Sequence, residues 1–187
     1  MSVLRWLRIF LPLLLVAVLV AAVVLVFSSR SDLKDARGRV DTAWDQLRRG
    51  QLDSRYDVLH SAFANDAIKT VPGPFHAIVQ NVAFAYQHWR DLETHNGSTA
   101  SEVQAANDLE AAGRRLVYAA HQAPRLTGNQ TALAKVDAFA AQAPPSKAKP
   151  FEAAVARFEK VRSRPVNRLA ARVLGYDAIP DYDATSG

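Results

Sequence analysis

Residues Ile9 to Phe27 form 19 consecutive positions without a charge, dominated by Leu, Val and Ala. As a helix rising ~1.5 Å per residue, this run reaches roughly 28 Å, about one bilayer core. From Ser31 onward apolar residues recur at helical spacing nearly everywhere, and no stretch of five or more residues alternates with the period of two that a half-buried strand requires. The pattern predicts an all-α protein, with a single N-terminal transmembrane helix leading into an antiparallel helical bundle with a long first helix. The expected organisation is a basic tail over residues 1–8, the span over 9–27, the bundle over 28–175 and a C-terminal tail over 176–187.

The first helix is expected to leave the apolar run without a break. It carries Leu33, Val40, Trp44 and Leu47 on one stripe and Leu52, Tyr56, Leu59 and Phe63 on another. The step from Leu47 to Leu52 is five. At about 100° per residue, that turns the stripe by roughly 140°, so either the helix changes partner there or one residue is absorbed as a π-bulge near Gly50. A local irregularity between Arg48 and Leu52 is predicted.

Pro72 and Pro74 each remove a backbone donor, which breaks the chain at Thr70–Pro74. A second helix then runs from about Pro74 to Thr94 on Phe75, Ile78, Val79, Val82, Tyr86 and Trp89, with Asn96-Gly97 as its left-handed stop. Thr99 with Glu102 reads as a capping box for a third helix, whose inner face is Val103, Ala106, Leu109, Gly113, Leu116 and Ala120. Gly113 in that stripe predicts a close helix crossing, because it sacrifices about 1 kcal/mol of propensity that packing must return. After a corner at Pro124–Gly128, Asn129 is a natural cap for a short helix through Leu133, Val136 and Phe139. Ala143-Pro144-Pro145-Ser146 makes a stiff connection. The last helix starts near Pro150 with Phe151, Val155, Phe158 and Val161 inward, and is kinked or restarted at Pro165, with Val166, Leu169 and Val173 continuing the stripe. The tail, acidic at Asp177, Asp181 and Asp183, is expected to fray at its end.

The apolar run has two readings. A cleavable signal peptide, with Val26 and Ser28 as the small-residue pair before the cut, is one, but signal h-regions are about 7 to 15 residues long, so 19 favours a signal-anchor and a single-pass protein. Pro12 falls in the first turns of the span, where a missing donor costs least. Arg5, Arg8 and the free amine precede the run, and Arg30, Lys34, Arg37 and Arg39 follow it, so the two flanks are nearly balanced. An acid-free basic tail is awkward to translocate. That leans the N-terminus inside and the domain outside the cytoplasm.

The 187 residues hold 23 Lys and Arg, 18 Asp and Glu and no Cys. Beyond the span the balance is 21 cations against 18 acids, too mild for a nucleic-acid footprint. The lack of Cys excludes a disulfide framework, a thiol nucleophile and Cys-ligated metal. The stretch beyond the span is enough for one domain with a real core. Two basic clusters remain. Arg30, Lys34, Arg37 and Arg39 are candidate membrane-surface contacts, each worth about 1 kcal/mol against an anionic leaflet, or else a hydrated helix exit pairing with Asp32, Asp35 and Asp41. The last helix offers Arg157, Lys160, Arg164, Arg168 and Arg172 as candidate partner or lipid contacts, where the plain alternative is a solvated face.

Catalytic, cofactor and metal residues are not suggested. His60, His76, His88, His95 and His121 include no i, i+4 pair for one metal; His88 and His95 share a face beside Gln87, Arg90 and Asp91 that reads as solvated surface, and His60 reads as a half-buried ring. Asp53 and Asp57 are four apart, but Arg49 and Arg55 lie close enough for ordinary helical ion pairing to explain them. Neither a nucleophile elbow nor a Gly-rich phosphate loop is present.

Three blocks carry a resemblance. They are Ala43-Trp44-Asp45-Gln46-Leu47 with Gln51-Leu52 and Arg55-Tyr56-Asp57-Val58-Leu59; the corner Ala119 to Asn129, in which Pro124, Leu126 and Asn129 match; and, loosely, Val161-Arg162 through Val166-Asn167-Arg168-Leu169. In this order they resemble the LemA family of bacterial membrane-anchored helical proteins, over roughly Leu33 to Ile179. The chain has one extra residue between the halves of the first block, where the apolar stripe slips. His121 and Ala123 replace the family's usual acid and Tyr, His60 and Ser61 stand where Pro and Asn are usual, and Pro165 intrudes in the third block. The resemblance implies an anchor in the bacterial cell membrane followed by an antiparallel bundle, and no well-defined reaction. The expected function is a membrane-anchored scaffold or interaction module, an accessory subunit of a larger membrane complex held by protein–protein interaction. The alternative is a sensory or lipid-surface module binding anionic headgroups through the basic last helix. The partners expected are the bilayer and a membrane protein, with no nucleic acid, small-molecule substrate or cofactor, and no enzymatic activity.

Overall fold

The computed structural model describes the backbone of residues 3–95, 97–142 and 145–183, and the side chains of these apart from residues 3–13, 22 and 25. Asn96, Ala143 and Pro144 lie outside the described residues, as do the side chains of Arg5, Arg8 and Pro12 and the tail beyond Asp183. The protein is all helical, with no strand among the described residues. Helix α1 (Val3–Leu47) leads into a π-helical turn (Arg48–Leu52) and on into α2 (Asp53–Phe63). There follow α3 (Asp66–Lys69), α4 (Pro74–Thr94), α5 (Thr99–Gln122), α6 (Gln130–Ala140), α7 (Ala148–Arg162) and α8 (Pro165–Leu174). The helical stretch from Leu14 contains an 18-residue window of mean hydropathy 2.3 that is only 6% buried, long and apolar enough to cross a membrane.

The irregularity expected between Arg48 and Leu52 is the π-helical turn, with the same limits. Its physical reason is the stripe. Leu47 and Leu52 are both fully buried, and a plain α-helix would have turned one of them away; one extra residue in the turn keeps both on the core. Gln51 in this turn donates to Ser146 Oγ at 2.9 Å and accepts the Lys147 N–H at 2.9 Å.

The chain divides into two compact units, Met1–Arg39 with Ala156–Ala178, and Val40–Val155 with Ile179–Gly187. In the second unit α4 packs on α5, α6 on α2 and α5, and α2 on α4. The expected inner faces are buried: Val40, Trp44 and Leu47, then Leu52, Tyr56, Leu59 and Phe63, then Val103, Ala106, Leu109, Leu116 and Ala120. Trp44 centres an aromatic cluster, with its ring 5.1 Å from Phe151, 6.1 Å from Trp89 and 6.3 Å from Tyr182. Asn129 caps α6 by accepting from the Ala132 N–H. The expected capping box of Thr99 and Glu102 does not form, and the cap lies one residue earlier. Ser98 is the cap of α5, Thr99 Oγ1 donates to Asp41 Oδ1 at 2.6 Å, and Glu102 turns inward to accept the Trp44 indole N–H at 2.6 Å.

In the first unit the buried positions are Ser29, Leu33 and Ala36 on α1, Phe158 on α7, and Asn167, Ala170 and Ala171 on α8. Pro165 restarts the helix as α8, which stops at Gly175 in the left-handed conformation (φ 71°). The expected inward stripe of this helix is reversed. Val166, Leu169 and Val173 are 49%, 58% and 66% exposed, and the small Ala170 and Ala171 face the core instead, because small side chains let helices approach closely.

The close crossing expected at Gly113 is present in the second unit. A Cβ there would stand 2.7 Å from Phe139 Cε1 and 3.0 Å from Leu59 Cδ2. Gly113→Ala gains about 1 kcal/mol of helix propensity, but overpacking costs about 1–3 kcal/mol. Thermal unfolding of the detergent-solubilised chain is expected to show a lowered Tm; a Tm at or above that of the parent would mean the ring of Phe139 yields freely.

Candidate functional site

The two basic sets predicted from sequence are both on the surface. Arg30, Lys34 and Arg39 are exposed, and Arg37 is half-buried with its guanidinium 6.0 Å from the centroid of the Phe158 ring. Arg157, Lys160, Arg164, Arg168 and Arg172 are exposed. Two hollows in the first unit sort them. Arg39 joins Arg157 and Arg164 around a shallow hollow of about 240 Å³, together with Asp32 and Asp35, so these three cations share their space with acids. Arg168 and Arg172 line a hollow of about 410 Å³ with Arg162, Ser163, Tyr176 and Asp177. Arg162 there is held by Glu159, its Nη2 2.8 Å from Oε2.

A buried ion pair lies in the second unit and was not singled out from sequence. Arg55 donates from Nε to Glu110 Oε1 at 2.6 Å and from Nη2 to Oε2 at 2.9 Å, a bidentate pair. The Glu110 side chain is fully buried, and Tyr182 OH donates to its Oε1 at 3.0 Å. Arg55 Nη1 reaches the carbonyls of Phe139 and Gln142, and its guanidinium lies 4.2 Å from the centroid of the Phe139 ring. Burial works against the Arg55 charge, but the Glu110 carboxylate outweighs it and raises the pKa. Burial pushes the hydroxyls of Tyr56 and Tyr182 up as well, with the Glu110 charge adding to the effect. A sequence signal existed: Glu102 and Glu110 sit within the inward stripe of the third predicted helix, and Arg55 between Leu52 and Tyr56.

The ion pairing expected for Asp53 and Asp57 is corrected. Arg49 bonds Asp45 at 3.1 Å and Arg55 goes to Glu110. Asp53 Oδ1 is buried with no hydrogen-bond partner among the described residues. His88 and His95 are exposed, and no group of three or more His, Cys, Asp or Glu that would hold a metal occurs among the described residues. The reading of His60 as half-buried is also corrected: it is exposed, and its ring stacks on Tyr86 at 4.9 Å. His121, in the second block, lies 2.7 Å from Asp137 with both side chains about half exposed.

One concave apolar surface was not foreseen. Val71 and Pro72 before α4, with Phe75 and Ile78 on it, line a groove of about 720 Å³ together with Tyr118 and Ala119 of α5 and Pro124 just after it; Arg115 and Arg114 line it too, Arg114 with its Nη1 3.9 Å from Glu110 Oε2. Tyr118 is 73% exposed there.

Comparison with family models, curated proteins and solved structures gives no match to this chain. The residues that carry the resemblance to LemA proteins take structural parts here: Trp44 bonds Glu102, Gln51 bonds the connection before α7, Arg55 bonds Glu110, and Tyr56 OH donates to the Ala106 carbonyl at 3.2 Å.

Two outcomes follow from these charges. Glu110→Ala strands a buried guanidinium, and denaturant unfolding is expected to show a loss of about 3–5 kcal/mol, most of it recovered when Arg55→Met is added. Asp53 behaves in the opposite sense. Burial raises its pKa above the ordinary 3.8, and the Glu93 charge adds to that, so its ionised form opposes folding. That penalty is complete above the folded pKa and fades as pH falls through it towards the unfolded value. Asp53→Asn is therefore expected to raise Tm at neutral pH and to lose the advantage by about pH 4.

Proposed function

We propose that this protein is a single-pass membrane protein of LemA type, anchored in the bacterial cell membrane by residues 9–27. In this reading its antiparallel helical bundle lies outside the cytoplasm and serves as a scaffold for a larger membrane complex. The observation that carries the reading is the apolar groove between α4 and α5. A surface cleft walled by Val71, Phe75, Ile78 and the exposed Tyr118, with Arg114 and Arg115 also lining it, suits an apolar segment of a partner protein flanked by acids. The aromatic ring in an apolar cleft is the type of anchor on which binding energy concentrates.

A second reading, contact with anionic headgroups, is favoured by the gathering of Arg162, Arg168 and Arg172 around one hollow. In it the domain reports on the membrane surface instead of holding a partner.

Affinity isolation of the full chain from native membranes tests the scaffold. A stable membrane-protein companion is expected, and Tyr118→Glu is expected to weaken its capture by about 2 kcal/mol, roughly thirtyfold in affinity. A chain that runs as a lone monomer, with no companion recovered after crosslinking in the native membrane, would sink the reading.

A further inference from the structure

Helix α8 has three faces. Asn167, Ala170 and Ala171 are buried, Arg168 and Arg172 are exposed, and Val166, Leu169 and Val173 are exposed although they are bulky and apolar; Leu174 at the end of the helix is half-buried. At about 100° per residue the three apolar side chains fall within roughly 60° of one another, and the two arginines flank them on one side within about 100°. From Arg162 to Arg172 the chain carries four arginines and no acid. A continuous apolar ridge edged by arginine, on a helix whose other side is packed on protein, is the pattern of a helix lying in a membrane interface.

Its place in the fold agrees. The compact unit that contains α8 also contains the apolar run, whose side chains such as Leu19, Val24 and Phe27 are exposed. Ser29, two residues beyond Phe27, is only 3% exposed, so packed protein begins where the uncharged run ends. Pro165 starts α8 as a separate helix, and Asn167 Nδ2 donates to the Val161 carbonyl at 2.9 Å, which ties its start to the end of α7.

We propose that α8 seats Val166, Leu169 and Val173 in the boundary between headgroups and acyl chains of the anionic bilayer that the apolar run crosses. Arg168 and Arg172 then hold lipid phosphates; Ser163, Tyr176 and the acid Asp177 line the same hollow, with Arg162 as its third cation. This rests on reading the run as a span. Water is a poor environment for such a ridge, and a partner protein would find arginine along only one edge; an anionic leaflet supplies both the apolar layer and the phosphates.

The chain has no Cys, so a single introduced thiol takes a unique label. The full chain is reconstituted in vesicles of phosphatidylcholine with phosphatidylglycerol, with an environment-sensitive fluorophore on Leu169→Cys, on Val18→Cys in the span, or on Gln87→Cys, which is exposed on α4. At position 169 a blue-shifted emission is expected, quenched by lipids carrying doxyl high on the acyl chain and shielded from aqueous iodide relative to position 87. Adding Arg172→Gln is expected to lower the ratio of seated to unseated label about fivefold. A position-169 label as open to iodide as position 87, while position 18 stays dry, overturns the proposal and leaves the span intact. Shielding from iodide without doxyl quenching means that protein, such as a second copy of this chain, covers the ridge, and overturns it too. Equal seating in pure phosphatidylcholine overturns the anionic occupant. A wet label at position 18 removes the span on which the inference rests.

Discussion

Arg55 and Glu110 are drawn out of water as a bidentate pair, and the second unit is arranged around keeping them satisfied. A carboxylate with no exposure needs every lone pair used, so Tyr182 must come in from the C-terminal stretch to donate to it, and a guanidinium needs its remaining protons placed, so the end of α6 supplies the carbonyls of Phe139 and Gln142. The pair thereby fixes α2, α5, α6 and the segment after Ile179 against one another. Hydrophobic packing alone would permit several registers among these helices; a buried charge tolerates few. Asn107 adds to the constraint by donating to the Asp181 carbonyl and accepting the Asp183 N–H, each at 2.9 Å.

Helix limits were legible where a residue dictates them by covalent chemistry: Pro74 opening α4, Pro165 opening α8, Asn129 capping α6. The π-helical turn was legible for a geometric reason, a step of five in the apolar stripe. What was hidden depends on which surface a stripe meets. The rule that bulky apolar residues face protein misplaces Val166, Leu169 and Val173, because Ala170 and Ala171 take the packed side of α8. The buried acids were legible only as positions in an inward stripe: Glu102 also satisfies a capping pattern and Glu110 reads as one more helical charge, and it is the facing Trp44 and Arg55 that show their roles. Ile179 and Tyr182, 4% and 3% exposed, lie in a stretch with no helical period to mark them as core.

The family-like first block now has a physical account. Its Trp, Gln, Arg and Tyr are spaced to satisfy partners on α5 and on the connection before α7, with the π-helical turn in the middle to bring them onto one side. Such a block specifies how a long helix is gripped by its neighbours. The α4–α5 groove and the α8 ridge lie outside it.

Each compact unit is assembled from two separate stretches of chain, so neither exists as a contiguous fragment. During synthesis this imposes an order. Glu110 and Arg55 are made long before Tyr182, and the nascent domain must hold a partly open charged core while α7, α8 and the last segment follow. Tyr182, the third partner of this buried charge, is thus the last of the three to be synthesised.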